Sequence, residues 1–213
     1  MRHIVWDWNG TLFDDLEIVV DSVNTALVLV GAPPITVDRY QSHYTRPVSL
    51  FYEELLERPV SQEEWHRLDV AFHDHYAAVL DQATLAPNAT EALELVDRSG
   101  ASQSLLSMFL HDELVELVER LGIRRYMNRV DGLRGIRGDR KHLHLEEHLG
   151  ALATKPSEVV VIGDALDDAA AARAVGAAAV LYDSGSHLRE RLEETGVPIA
   201  DTLVDSVNLA LDL

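Results

Sequence analysis

The chain has no cysteine, only two lysines, far fewer bases than acids, and no apolar run long enough to cross a bilayer. Each shortage excludes something. Without cysteine there are no disulfides, thiolate nucleophiles or thiolate-held metals, so any metal must rest on oxygen or imidazole. No hydrophobic stretch approaches the roughly 20 residues a membrane helix needs. The few residues before Asp7 lack the extended apolar region and cleavage site of a secretory signal, and the expected location is the cytoplasm. Eighteen Lys and Arg against 36 Asp and Glu leave a formal charge of −18. That field repels nucleic acid and anionic membranes, so neither is expected as a partner. An anionic substrate therefore requires cations concentrated locally, which directs attention to the few well-placed Lys and Arg residues or a bound metal; Lys141 and Lys155 are the only lysines.

What is present suits a folded core. The 213 residues are 47% hydrophobic and 25% charged, enough for one sizeable core or for a core carrying a smaller insert. RHIVW before Asp7 predicts a short buried strand. Residues 15–84 then read as helix throughout. LEIVVDSVNTALVLVG closes on Gly31, TVDRYQSHY and VSLFYEELLER follow, and Ser61 with Glu64 offers a capping box to SQEEWHRLDVAFHDHYAAVLDQ. After Ala86-Pro87-Asn88, helices and strands alternate. The order is helix ATEALELVDRSG, strand SQSLLS, helix HDELVELVERLG, a short strand near RVDGL, helix KHLHLEEHLGAL, apolar strand EVVVIGD, helix DDAAAARAVG and strand AAAVLY. The expectation is an α/β fold: a doubly wound parallel sheet built from residues 1–14 plus 85–213, with residues 15–84 as a helical insert. Ligands of such sheets bind beyond the carboxyl ends of the strands, where Asp7, Ser107 and Asp164 each fall.

The chemistry of those positions is coherent. Asp7 precedes the turn Asn9-Gly10-Thr11, in which glycine permits the tight backbone of an anion-cradling loop. Asp164 ends VVVIGD and Asp168 lies one helical turn further on. Three carboxylates at one sheet edge repel one another unless a hard divalent cation neutralises them, and oxygen ligands of this kind favour Mg²⁺. Ser107 offers a hydroxyl and Lys141 a compact cation for phosphoryl oxygens. A lone strand-end Asp more often caps a helix, and Asp167 is read as a favourable charge at a helix start. Order shifts the balance: DxxGT, a strand ending in Ser, Lys, then a strand ending in GDxxxD.

That order resembles the haloacid dehalogenase superfamily of aspartate-nucleophile hydrolases, in its phosphoglycolate-phosphatase-like branch. The matching pieces are DWNGTLFDD, LLSMF, Lys141 and VIGDALDDAAAARAVGA. The resemblance implies a Rossmann-like core, an inserted all-helical cap domain, Mg²⁺ dependence and an aspartyl-phosphate intermediate. It implies Asp7 as the nucleophile, and Asp7 and Asp164 as side-chain ligands of the metal. Asn9 would ligate through its backbone carbonyl, and Asp168 would hold a metal-bound water. Ser107 and Lys141 would grip the phosphoryl group, with Trp8, Gly10, Thr11 and Met108 around the substrate. The partner implied is a small phosphorylated metabolite; monomer and dimer are both compatible with the sequence.

Asn9 departs from the pattern, because family phosphatases usually carry a second Asp there as general acid and base. An amide has no titrating proton to give, and such help is typically worth roughly 10²–10⁴-fold. Its loss slows alkyl phosphates more than acyl or aryl phosphates, whose leaving oxygens depart unprotonated. The alternatives are a weakly catalytic or inactive phospholigand-binding protein and a 2-haloacid dehalogenase, the latter opposed by the acidic GDALDD. Phosphonate-cleaving relatives share the DW opening but use a cap lysine, and no lysine precedes residue 141. Phosphoryl-transfer ATPases that lack the second Asp are membrane proteins. In the cap, Arg46 is a candidate substrate-facing cation and His43 a candidate substitute acid. His66, His73 and His75 read as partly exposed structural histidines, and Trp65, Phe72 and Tyr76 as cap core.

Overall fold

A computed structural model of the protein describes residues 2–134 and 141–213. The chain divides into two compact units, Met1–Asp14 with Leu85–Leu213, and Asp15–Thr84. Short strands β2 (Phe13–Asp14) and β3 (Thr84–Leu85) stand where the chain leaves the first unit and returns to it.

The first unit holds a six-stranded sheet. Its strands are β1 (His3–Trp6), β4 (Ser102–Leu110), β5 (Val130–Leu133), β6 (Val159–Gly163), β7 (Ala178–Tyr182) and β8 (Ile199–Ala200), in the order β5-β4-β1-β6-β7-β8. Every pairing is parallel. Parallel central strands are covered on both faces, which is why HIVW and VVVIG carry no polar alternation and are buried throughout. Val160 and Ile162 are completely buried, each contributing on the order of 2 kcal/mol by leaving water. The chain adds β4 and β5 on one side of β1 before crossing to β6, β7 and β8 on the other. The carboxyl end of β1 is therefore the topological switch point, the usual ligand crevice of such sheets.

Alternation along β4 assigns the covering helices. Gln103 points toward α5 (Ala89–Ser99), where its Nε2 donates to the Leu93 carbonyl at 2.9 Å. Ser104 points the other way, to α7 (Lys141–Leu152), where it meets His148. α7 packs beside α8 (Leu166–Val175), and α5 beside α10 (Leu203–Asp212). α6 (His111–Arg120) covers β4 and β5. The alanines of α8 leave little bulk between it and its neighbours, and Ala169, Ala171 and Ala172 pack with Leu145, Leu149 and Val161 in one apolar cluster.

The sequence reading stops at Tyr182. Beyond it the structure adds α9 (Arg189–Glu193), β8 and α10, the last capped by Thr202, whose side chain accepts from the Asp205 N–H. β4 also runs three residues past the expected SQSLLS, with a register shift between Leu106 and Leu110.

The second unit is helical: α1 (Leu16–Val28), α2 (Val37–His43), α3 (Val48–Leu56) and α4 (Gln62–Val79). α1 packs against α4, and Val23, Leu27, Phe51, Tyr52 and Leu68 form a separate apolar core. Trp65 and Phe72 pack against that core and Tyr76 is buried. Half of the expected capping box at α4 forms: Ser61 Oγ accepts from the Glu64 N–H at 3.2 Å. The Glu64 carboxylate takes both terminal nitrogens of Arg58, each at 2.8 Å.

Candidate active site

β1 delivers Asp7 beside the end of β6: the Asp7 N–H donates to the Ile162 carbonyl at 2.8 Å. The following loop turns back at once, with Thr11 N–H and Phe13 N–H both donating to the Trp8 carbonyl, at 3.1 and 2.9 Å. Gly10 sits in this turn at φ 73°, and a Cβ there would stand 2.2 Å from Asp164 Oδ2. Only glycine lets the loop approach that carboxylate. A second close approach places Asp168, since a Cβ on Gly163 would lie 2.1 Å from Asp168 Cγ. The two glycines thus make room for the two carboxylates contributed by the GDxxxD segment.

Lys141, the first residue of α7, reaches across to both sides of the cleft. Its Nζ stands 2.5 Å from Asp7 Oδ1 and 2.5 Å from Asp168 Oδ1. Asp168 Oδ2 accepts from the Ala165 N–H at 3.1 Å, so both Asp168 oxygens face protein donors. Thr11 Oγ1 donates to Asp164 Oδ1 at 3.1 Å. Ser184 Oγ donates to Asp164 Oδ2 at 3.3 Å and lies 2.8 Å from Ser186 Oγ.

The electrostatics follow from burial. Asp7, Asp164 and Asp168 are all buried. Desolvation pushes the Asp7 carboxyl up; Lys141 opposes it and Asp164 adds to it, with a net rise. Asp164 is raised by burial and then by Asp168, and Asp168 by burial, with Lys141 opposing and Asp7 reinforcing. Burial alone would lower the Lys141 ammonium, yet Asp168 and Asp7 hold it well above its ordinary value. Fully ionised, the cluster would carry two more negative charges than positive ones.

That excess is a test of metal fit. Asp7, Asp164 and Asp168 each offer an oxygen, all within 4.8 Å of one another. A buried, oxygen-only donor set with surplus negative charge suits a hard divalent cation such as Mg²⁺, and a thiophilic metal has no ligand here.

The other expected residues are distributed as follows. Ser107 is buried on β4 and its Oγ accepts from the Phe109 N–H at 3.0 Å; Met108, next to it, is half-buried. Asn9 is half-buried in the turn and forms a bridge with Phe13. Trp8 departs from a substrate-facing position. Its indole is fully buried and stacked on Phe13 at 4.7 Å, with Nε1 lacking a hydrogen-bond partner. In the helical unit, Arg46 is exposed between α2 and α3. His43 Nδ1 bonds the Arg39 carbonyl at 2.9 Å, a helix-capping contact. His75 pairs with Asp21 at 2.8 Å and His73 with Asp69 at 3.4 Å.

Sequence reasoning missed Ser184 and Ser186. The signal was present: DSGSH is a small polar run directly after β7, at another strand's carboxyl end. It also missed a buried polar chain joining His3, Ser104, His148 and Asp131.

No helix among the described residues is long and apolar enough to cross a membrane. Among curated proteins, the chain is 26% identical over 200 residues to a phosphoglycolate phosphatase of Chromobacterium violaceum, covering 87% of this chain and 86% of that one. It is 26% identical over 214 residues to the phosphoglycolate phosphatase of Caulobacter vibrioides, covering 95% and 86%. Among solved structures, a haloacid dehalogenase-like family hydrolase from Streptococcus pneumoniae superposes with a TM-score of 0.85 at 17% identity, covering 100% of this chain and 99% of that one. A hydrolase from Pseudomonas syringae gives 0.78 at 19%, again covering 100% and 99%. Residues 1–176 match the haloacid dehalogenase-like hydrolase family as a whole, which takes in Asp7, Ser107, Lys141, Asp164 and Asp168. With that match spanning most of the chain and the fold agreeing over its full length, this enzyme belongs to the haloacid dehalogenase-like hydrolases.

Proposed function

We propose that this hydrolase is a Mg²⁺-dependent phosphatase of small phosphorylated metabolites, working through an aspartyl-phosphate on Asp7. The observation that carries the reading is the meeting of Asp7 with Lys141, Asp164 and Asp168 at the switch point of the sheet. The names of the curated relatives point the same way.

In this reading one Asp7 carboxylate oxygen attacks phosphorus, the bond to the leaving oxygen breaks, and an acyl phosphate forms. Water then attacks the phosphoryl group, returning the Asp7 carboxylate and releasing phosphate. Lys141, held by Asp7 and Asp168, and the Ser107 hydroxyl bind and orient the phosphoryl oxygens. Asp7, Asp164 and the Asn9 backbone carbonyl would hold the ion, with Asp168 behind them. Bound Mg²⁺ supplies charge neutralisation, so that an anionic nucleophile and an anionic phosphate tolerate each other. Thr11, Ser184 and Ser186 fix Asp164 as a ligand, a positioning role. Residues 15–84 act as a cap that selects the substrate, with Arg46 as one candidate contact.

Asn9 shapes the substrate range. It has no proton to give the leaving oxygen, so acyl and aryl phosphates, whose leaving groups are acidic, turn over faster than alkyl esters. The test is a Mg²⁺-supplemented panel of phosphorylated metabolites, phosphoglycolate among them, on wild type, Asp7→Asn and Asn9→Asp. Asp7→Asn is expected to lose on the order of 10⁴-fold in rate. Asn9→Asp should raise alkyl phosphate hydrolysis more than nitrophenyl phosphate hydrolysis. Full activity in Asp7→Asn sinks the mechanism, and an equal gain on both substrates in Asn9→Asp sinks the leaving-group account. Asn9 also favours a second reading, a phospholigand-binding protein with little turnover. Saturable Mg²⁺-dependent binding with no turnover across the panel would establish it.

A further inference from the structure

A second buried polar group lies on the same face of the sheet, beneath α7. His3 bonds Ser102 Oγ through Nδ1 and Ser104 Oγ through Nε2, each at 2.7 Å. Ser104 Oγ lies 2.7 Å from His148 Nε2, and His148 Nδ1 lies 2.7 Å from Asp131 Oδ2. One assignment of hydrogens satisfies them all. Ser102 donates to His3 Nδ1, His3 Nε2–H to Ser104, the Ser104 hydroxyl to His148 Nε2, and His148 Nδ1–H to the Asp131 carboxylate.

Ser104, His148 and Asp131 have the bonding order of a nucleophilic triad. They do not form one that a substrate could use. Ser104 is fully buried and its oxygen already accepts from His3, so the hydroxyl has no path to a ligand.

Their consequence lies along the helix. His148 follows Lys141 by seven residues on α7, which places the two side chains about 20° apart around the helix and about 10 Å apart along its axis. Leu145 and Leu149, between and beside them on this face, are buried in the apolar cluster under the helix. Apolar packing resists separation but tolerates sliding and small rotations, because it has no preferred direction. The paired hydrogen bonds of His148 are directional, one to β4 and one to β5, and so fix both the rotation and the axial position of α7.

We propose that His148, through Ser104 and Asp131, is a positioning residue that seats Lys141 between Asp7 and Asp168. The catalytic consequence rests on the phosphatase reading above, whereas the seating of Lys141 does not.

Two measurements keep these apart. The first is acetic anhydride labelling followed by peptide mass spectrometry, with exposed Lys155 as the internal reference for the largely covered Lys141. In His148→Leu, kept well below its melting temperature, the Lys141-to-Lys155 labelling ratio is expected to rise roughly fivefold or more. Ser104→Ala removes a single hydroxyl and should raise it in the same direction, so the inference is tested even if His148→Leu does not fold. The second measurement is kcat/KM for p-nitrophenyl phosphate with Mg²⁺, expected to fall roughly tenfold in either variant. Folded variants with the wild-type labelling ratio and wild-type kcat/KM, whatever their melting temperature, overturn the positioning role and leave the phosphatase reading intact. A wild type without Mg²⁺-dependent turnover, whose variants still expose Lys141, overturns the phosphatase reading and supports the positioning role.

Discussion

The core unit buries two polar clusters on opposite logics. Around Asp7, three carboxylates share one ammonium, and burial together with mutual repulsion drives all three carboxyls up. Around His148, every donor finds an acceptor, and the Asp131 charge is met by Arg129 as well as by the imidazole. Burial pushes Asp131 up, but the hydrogen bonds from Arg129 and His148 outweigh it and hold the carboxyl below its ordinary range. The first cluster is open in the sense of charge, its three carboxylates outnumbering its one ammonium, an excess that a cation would neutralise. The second is closed in the same sense, its hydrogen bonds paired donor to acceptor. Buried polar groups that are fully satisfied specify a structure, whereas a surplus of one sign marks a place kept for something else.

That contrast can be broken in four ways. Lys141→Met removes the cation shared by two carboxylates of the open cluster, and Mg²⁺-dependent hydrolysis of p-nitrophenyl phosphate should fall by roughly 10²–10³-fold. A rate above a tenth of wild type would mean that Lys141 is not aimed at the phosphoryl group. Mg²⁺ at about 100 times its dissociation constant should stabilise the wild type by about 2.7 kcal/mol. Calorimetry should find that stabilisation absent in Asp164→Asn and intact in Asp131→Ala. If Asp131→Ala lost it too, the closed cluster would govern metal binding and not only the seating of Lys141.

Breaking the closed cluster should cost stability. Asp131→Ala strands the His148 Nδ1–H in the interior, at about 2 kcal/mol, read from the urea midpoint. An unchanged midpoint would show that water replaces the carboxylate at no cost. The last effect is on pH. Burial, then the neighbouring His148 charge, pushes His3 down to about 4. The unfolded chain takes up a proton at this position near pH 6.5 and the folded chain only near 4, so stability is full above 6.5 and falls as pH drops toward 4. Melting temperatures over that window should fall a few degrees further in wild type than in His3→Gln. Parallel curves would remove His3 from the acid response.

Much of the core was readable from local pattern. The apolar runs HIVW and VVVIG can only be covered strands, and the glycines after α5 and α8 end those helices at positive φ. The tail beyond Tyr182 was not, because a two-residue strand and a five-residue helix are too short to show a period. Asp7, Asp164 and Asp168 announced themselves by standing at or just past strand ends. Lys141 was expected near the same edge, but its bridging of Asp7 and Asp168 depends on how α7 lies across the sheet. His148 gave no warning, since its partners come from two other strands and a helical histidine looks the same in sequence whether buried or not.

By itself the sequence determined the alternation of strands and helices and the turn at Gly10, which follow from interactions over a few residues, and the order in which the candidate site residues appear. Only the tertiary structure decided which of them meet. Lys141 touches Asp7 across 134 residues and Thr11 reaches Asp164 across 153. Such contacts are set by strand order and by the way helices pack on the sheet, and no short window of sequence contains either.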